Sequence, residues 1–232
     1  MIVGISGRKQ SGKNTVANII NGELLKSKAM ISDYKITKDG ELLIYTQNSE
    51  GVFGWGVFDI TRKDKDFVTY AEKEMWPYVK LYHFADALKE MSVNLFDLEP
   101  RQVYGSDDDK NTMTPYGKTA RQFLQYLGTD VMRKIKDTIW VDWTIKVISQ
   151  EQSSLALIPD VRFPNEVDAI KKAGGIVIRL TRDVYNDKHE CEKSLDKDTF
   201  DWNKFDKIIE NKSSSLEDLQ DKIKTLMRTI QC

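Results

Sequence analysis

The sequence predicts a three-layer α/β fold, with a central parallel sheet flanked by helices and a β-hairpin inserted near the N-terminus. Three observations carry this reading. A short apolar, β-branched run at Met1–Ser6 leads into a glycine-bearing loop and then a helix. Apolar runs and helical patterns then alternate along the chain, the order of a parallel sheet with crossover helices. Leu155-Ala156-Leu157-Ile158 is unbroken apolar sequence, as suits a central parallel strand covered on both faces.

The elements follow in order. Met1–Ser6 is the first strand. Thr15 to about Lys26 is a helix, with Val16, Ile19, Ile20 and Leu24 on one face. From 27 to 82 the texture becomes β-rich. Lys38-Asp39-Gly40 signals a turn between extended runs, and Phe53, Trp55 and Val57 alternate with glycines before Phe58-Asp59-Ile60. Those aromatics read as the insert's own small core, with a binding surface as the alternative. Val79–Phe84 is a second core strand and Asp86–Phe96 a helix. Tyr104–Thr114, with Asp107-Asp108-Asp109, is a polar loop. Lys118–Lys134 reads as one helix and Ile139–Ile148 as a tryptophan-rich one. Asn165–Ala173 is a helix stopped by Gly174-Gly175. Ile176–Leu180 and Lys207–Ile209 are strands. Ser213-Ser214-Ser215 offers N-caps for a last amphipathic helix to about Thr229.

A chain of 232 residues suits a single α/β domain carrying the 27–82 insertion. Net charge is −1, without the basic excess of a nucleic-acid binder, so no nucleic-acid partner is expected. The two cysteines, Cys191 and Cys232, make no disulfide framework and point to a reducing, cytoplasmic setting. His83 and His189 have no zinc-site spacing to them. No apolar run nears the roughly 20 residues of a membrane span, and no basic leader precedes an apolar stretch.

The sharpest motif is Gly7-Arg8-Lys9-Gln10-Ser11-Gly12-Lys13-Asn14-Thr15. Phosphate oxygens need many donors at once. A glycine turn after a strand lets successive backbone N–H groups face one hollow, and the following helix presents its N-terminal dipole. Lys13 then reaches the β- and γ-phosphates, and a hydroxyl can ligate Mg2+. Asn14 stands where the general motif has serine or threonine, so the hydroxyl falls to Thr15. This Gly-Lys-x-Thr ending resembles the variant that nucleoside monophosphate kinases use. The loop makes the predicted fold the P-loop kind. Asn211-Lys212 lacks the aspartate of a guanine-reading motif, and no Asp-x-x-Gly switch occurs, which argues against a GTPase. Strand 155–158 runs into Pro159-Asp160-Val161-Arg162, one acid and one arginine, which suits Mg2+ beside a second phosphate.

Asp160-Val161-Arg162-Phe163-Pro164-Asn165-Glu166 resembles the signature segment of phage-type deoxynucleoside monophosphate kinases. So do Arg121 to Asp130, Phe84 to Lys89 (with Ala87 for the family's proline), Ile139-Trp140-Val141 and the loop ending His189-Glu190-Cys191-Glu192, where the family often has serine for Cys191. The likeness spans Met1–Leu25 and Leu81 to the C-terminus. It implies transfer of a phosphoryl group from ATP, with Mg2+, to a deoxynucleoside monophosphate, in host cytoplasm if the chain is phage-encoded. It places ATP on Gly7, Gly12, Lys13, Asn14, Thr15 and Arg182, and the cation by Thr15 and Asp160. The acceptor falls to Lys9, Gln10, Lys89, Lys110, Arg121, Gly128, Thr129, Trp140, Asp160, Arg162 and Glu166. Of these, Arg121 is the first choice for the acceptor phosphate, since guanidinium offers a planar bidentate fork. Trp140 is the candidate to pack on base or sugar. Lys13, Arg121 and Arg162 are the expected catalytic cations. A lid is expected over 182–193, with Arg179 and Arg182 either reaching phosphates or standing as surface charges. A homodimer is plausible on the same grounds. The alternatives are another small-molecule P-loop kinase, such as a dephospho-coenzyme A kinase type, and a nucleotide-regulated binding protein without turnover.

Overall fold

The computed structural model describes residues 1–47, 51–182, 193–211 and 215–230. In chain order the elements are β1 (Ile2–Ser6), α1 (Lys13–Ser27), β2 (Asp33–Ile36), β3 (Leu42–Gln47), β4 (Phe53–Val57), α2 (Lys65–Glu74), β5 (Val79–Leu81), α3 (Asp86–Phe96), α4 (Pro100–Tyr104) and α5 (Asp107–Lys110). Then come α6 (Ala120–Gln125), a π-helical stretch (Tyr126–Met132), α7 (Arg133–Ile135), α8 (Ile139–Glu151), β6 (Leu155–Val161), α9 (Pro164–Lys172), β7 (Ile176–Leu180), β8 (Lys207–Ile209) and α10 (Leu216–Ile230). The chain forms two compact units, one of 1–82 with 151–232 and one of 83–150.

The first unit holds a five-stranded sheet in the order β5-β6-β1-β7-β8, parallel throughout. β1 lies at its centre, every residue buried. Strand alternation sends Val3 and Ile5 into the large core, where they meet Leu157, Ile178 and Leu180 from neighbouring strands. α1 covers that face with Val16, Ile19, Ile20 and Leu24, and α10 adds Leu219, Ile223 and Met227. Each such buried side chain is worth roughly 1.5–3 kcal/mol of transfer free energy. The opposite face carries α9. A methyl at Gly4 would sit 2.7 Å from Ile170, so the helix approaches β1 as closely as it does because that position has no side chain.

The insert is a separate antiparallel sheet in the order β2-β3-β4. The Lys38-Asp39-Gly40 turn joins β2 to β3 as expected, with Gly40 left-handed at φ 87°. Three differences from the sequence reading appear. Tyr34, Ile36 and Leu42 belong to the same core as α1 and the parallel sheet, so the insert shares the main core. The alternating aromatics do not make a core of their own: every residue of β4 is exposed, Phe53 and Trp55 pair with the ring of the neighbouring Tyr45, and Lys35 lies over the Trp55 ring. The 27–82 stretch also contains a helix, α2, that the β-rich texture hid. Asp64 caps it by accepting from Phe67 N, and Phe67 and Ala71 bury into the core.

In the second unit, Leu98, Ala120, Phe123 and Leu127 form a core with Leu88, Met91 and Phe96 packed on it. The expected polar loop 104–114 is instead partly helical. Ser106 accepts from Asp109 N, and Asp109 Oδ2 accepts from Ser106 N, a capping box that starts α5. The expected single helix 118–134 is interrupted by the π-helical stretch. There Gly128 packs against Leu88, where a methyl would come within 2.6 Å of Cδ2, and its carbonyl accepts the indole N–H of Trp140. The second core strand ends at Leu81, short of the expected Phe84, with Tyr82 N adding one more bond to Leu157 O.

Candidate functional site

β1 delivers the chain into the glycine loop. A methyl at Gly7 would stand 2.3 Å from Ser11 Oγ, so the loop closes this tightly only on glycine. Gln10 (φ 60°) and Gly12 (φ 95°) are left-handed. For Gln10 that conformation costs on the order of 1 kcal/mol, a strain of the kind held at ligand-binding turns. Gly12 forms the N-cap of α1, so the dipole of a 15-residue helix opens onto the loop. Lys13 arches back over the loop and donates from Nζ to the carbonyls of Gly7 (2.6 Å) and Arg8 (2.7 Å). Ser11 is fully buried, and its hydroxyl has no hydrogen-bond partner among the described residues.

These residues wall a cavity of about 630 Å³. Residues 9–15 form its floor. Arg162 and Arg182 enter from beyond the ends of β6 and β7, the inserted 38–40 turn stands on one side, and Ser215 with Leu216 and Leu219 of α10 line it too. The structure therefore brings Lys9, Gln10, Gly12, Lys13, Asn14, Thr15, Arg162 and Arg182 together. The cavity lies beyond the carboxyl ends of β1, β6 and β7, where open α/β sheets bind ligands.

Arg162 is held from behind. Glu166, nearly fully buried, accepts from the backbone N–H groups of Arg162 (2.7 Å) and Phe163 (3.0 Å) through Oε2. That carboxylate closes the first turn of α9 and fixes the strand–helix corner carrying Arg162. Asp160 is half-buried at the end of β6 and is not part of the cavity lining.

Two supporting arrangements escaped the sequence reading. Asn211, 6% exposed just beyond β8, donates from Nδ2 to the carbonyl of Ser11 and accepts Arg182 N at Oδ1, both at 2.8 Å. One amide thus ties the phosphate loop to the backbone that presents Arg182. The sequence offered only the failed guanine motif at this place. Asp196 pairs with Arg8 (2.6 Å) and Arg179 (3.4 Å), and Arg179 Nη1 donates to Ser6 Oγ. Arg179 is buried beneath the rings of Trp202 and Phe205. It is thus not a surface charge; it braces the end of β1 where the loop begins.

The remaining expected residues lie on the second unit. Arg121, half exposed near the start of α6, pairs with Asp107 Oδ1 at 2.7 Å. Ion pairs this exposed are worth about 0–1 kcal/mol, so exchanging the carboxylate for a phosphate costs little. Lys89 lies over the ring of Tyr104, whose phenol is pushed up to about 12 by burial and then by the Glu90 and Asp86 carboxylates. Lys110 is half-buried in the last turn of α5. Thr129 is exposed in the π-helical stretch beside the buried Gly128. Trp140 is 6% exposed and its Nε1 donates to Gly128 O at 3.1 Å, so its ring is an interior support of the π-helical stretch.

Most of the expected lid, 183–192 with His189 and Cys191, falls outside the described residues. Among the described residues no three His, Cys, Asp or Glu side chains gather as a metal site. The donor set fits Mg2+ arriving on a nucleotide, since that ion keeps several waters and binds mainly through substrate phosphates with one or two protein oxygens. Thr15, whose side chain carries a hydroxyl, lines the cavity beside the loop. No helix among the described residues is long and apolar enough to cross a membrane.

Central strand, glycine loop, arching lysine and flanking parallel sheet define an α/β protein of the P-loop class. Within that class, the deoxynucleotide monophosphate kinase family model matches residues 68–223, more than half of the chain, and the chain belongs to that family. It is also similar to a protein of Acanthamoeba polyphaga mimivirus named "Putative deoxynucleotide monophosphate kinase", with 34% identity over 128 residues. That match covers 48% of this chain and 66% of the mimivirus protein, slightly under two thirds of its length.

Proposed function

We propose that this protein transfers the γ-phosphoryl group of Mg2+-bound ATP to the 5′-monophosphate of a deoxynucleoside, giving the diphosphate and ADP, as a step of nucleotide biosynthesis in a virus- or phage-infected cytoplasm. The observation that carries this reading is the cavity in which residues 9–15 meet Arg162 and Arg182. With Arg182 given to the donor, a loop that only held one phosphate chain would not need Arg162 from a further strand end. Family membership supports the same reaction class.

The chemistry asks little of covalent groups. An oxygen of the acceptor phosphate attacks the γ-phosphorus, the bond to the β–γ bridging oxygen breaks, and ADP takes the electron pair. The acceptor oxygen is already anionic, so no general base is needed. Catalysis is then alignment and neutralisation of charge. In this reading Gly7, Gly12, Asn14 and Thr15 cradle the β- and γ-phosphates through backbone N–H groups and hydroxyl. Lys13 leaves its two loop carbonyls for those oxygens, and Arg182 adds a donor-side cation. Thr15 and Asp160 stand as the protein oxygens nearest the Mg2+ role, directly or through water. Lys9, Gln10 and Arg162 serve the acceptor from the loop side, with Glu166 acting by fixing the backbone of Arg162. On the second unit, Arg121, Lys89 and Lys110 serve the acceptor phosphate. Thr129 stands beside Gly128, whose position Trp140 secures from within.

The deciding experiment is ADP release from Mg2+-ATP with each deoxynucleoside monophosphate supplied in turn. At least one should be turned over well above the ATPase background. Protein that binds ATP yet phosphorylates none would reject the proposal. Turnover with dephospho-coenzyme A instead would move the chain to a different acceptor.

A further inference from the structure

The inserted sheet has no assigned role, yet its β2–β3 turn is a wall of the phosphate-loop cavity. Lys38, Asp39 and Gly40 line the same space as Lys13 and Thr15. Four hydrogen bonds hold the turn there. Gly40 N donates to Thr37 O, Thr37 N to Glu41 O, and Glu41 N to Thr37 Oγ1. Asn18, one turn into α1, donates from Nδ2 to Gly40 O at 2.8 Å, tying the insert to the helix that begins at the loop. The fit is close. A methyl on Gly40 would lie 2.3 Å from Thr15 Oγ1, and the left-handed φ of 87° also calls for glycine. The turn is therefore seated on the residue that closes the phosphate motif, and it carries an exposed lysine into the cavity.

We propose that the inserted sheet is a donor-site element, whose turn places Lys38 against the phosphates of the bound nucleoside triphosphate. This rests on the reading of the cavity as the ATP site. Lys38 comes from the inserted sheet and lines the same cavity as the phosphate loop. An ammonium suits this position. It is a compact charge on a flexible stem and can follow the triphosphate without imposing a bidentate geometry. Among the described residues its neighbour Asp39 is the one acidic side chain lining the cavity, and without Lys38 that carboxylate would leave the turn repelling the ligand.

The test is equilibrium binding of Mg2+-ATP by calorimetry, with deoxynucleoside monophosphate binding measured alongside. Lys38→Ala should weaken ATP binding about 10-fold, the loss expected for one charge-assisted contact. Monophosphate binding should stay unchanged. Lys38→Arg should restore most of the ATP affinity. In the Asp39→Asn background the Lys38→Ala loss should shrink but persist. Lys38 is exposed, so these variants leave the core intact. An ATP affinity within twofold of the wild type in Lys38→Ala, or equal losses for both ligands, would overturn the proposal. The readout is binding, so it is separate from the turnover assay. A wild type that binds ATP but transfers to no monophosphate would fail the functional reading and leave Lys38 decided by its own result.

Discussion

Lys13 has two carbonyl partners, Gly7 and Arg8, and a transferring phosphate would draw it from them. We predict that Lys13→Ala lowers kcat by on the order of 10²-fold or more, as for loss of a preorganised charge contact. The variant should still fold, which circular dichroism can verify beside the kinetics; near-normal turnover would remove Lys13 from the mechanism. Arg121 makes a different prediction, because its partner Asp107 is an exposed, easily released carboxylate. Arg121→Ala should raise the KM for the monophosphate about 10-fold or more with a smaller change in kcat. Unchanged acceptor kinetics would show the arginine to be only a surface ion-pair partner. Residues of the loop were legible in the sequence because phosphate chemistry requires their types at that spacing. Asn211 and Asp196 were not. Each acts through partners far away in sequence, Ser11 and Arg182 for one, Arg8 and Arg179 for the other, and no local pattern announces such a meeting. Trp140 shows the converse. Its place in a resembling segment suggested a ligand contact, while burial and the Gly128 carbonyl give it an interior partner.

Elements were readable where periodicity was strong. β1, α3, β7 and β8 lie where the apolar patterns put them, and Ser215 caps the last helix by accepting from Asp218 N. α2 was hidden because the glycine- and aromatic-rich β4 beside it sets the texture of the whole insertion. The π-helical stretch was illegible for another reason: Gly128 within it is packed by Leu88 and Trp140, which lie outside the stretch itself. The junction between α1 and β2 yields a stability prediction. Gly22 faces the ring of Tyr34, and an added methyl would sit 2.4 Å from Cδ2. Alanine at a helix interior normally gains up to about 1 kcal/mol over glycine, but overpacking costs about 1–3 kcal/mol. We expect Gly22→Ala to be destabilising by about 1–2 kcal/mol net, lowering Tm by roughly 2–6 °C. The effect should vanish in a Tyr34→Ala background, since the clash has gone. An equal penalty in both backgrounds would refute the packing argument.

At the scale of the molecule, the chain is nearly neutral, with a net charge of −1. The cavity lining is not: among the described residues Lys9, Lys13, Lys38, Arg162 and Arg182 face one carboxylate, Asp39. Gathering cations in one concave wall of an otherwise balanced surface focuses the field on an anionic ligand. The apparent Kd for Mg2+-ATP should therefore rise severalfold between about 50 and 300 mM salt, as the screening length shortens towards a few ångströms. A flat salt response would mean that contact, and not field, sets the affinity.

The insertion has one consequence for how the chain can change over time. Its inner side chains Tyr34, Ile36 and Leu42 complete the main core, while β4 presents every residue to water. Excising the sheet would therefore take Tyr34, Ile36 and Leu42 out of the core beneath α1, whereas redecorating its outer strand would change only contacts within the sheet, such as those to Tyr45 and Lys35. The two surfaces of one small sheet answer to different pressures. The inner one must drift in step with α1, and the outer one is free to acquire new residues at the pace of an ordinary loop.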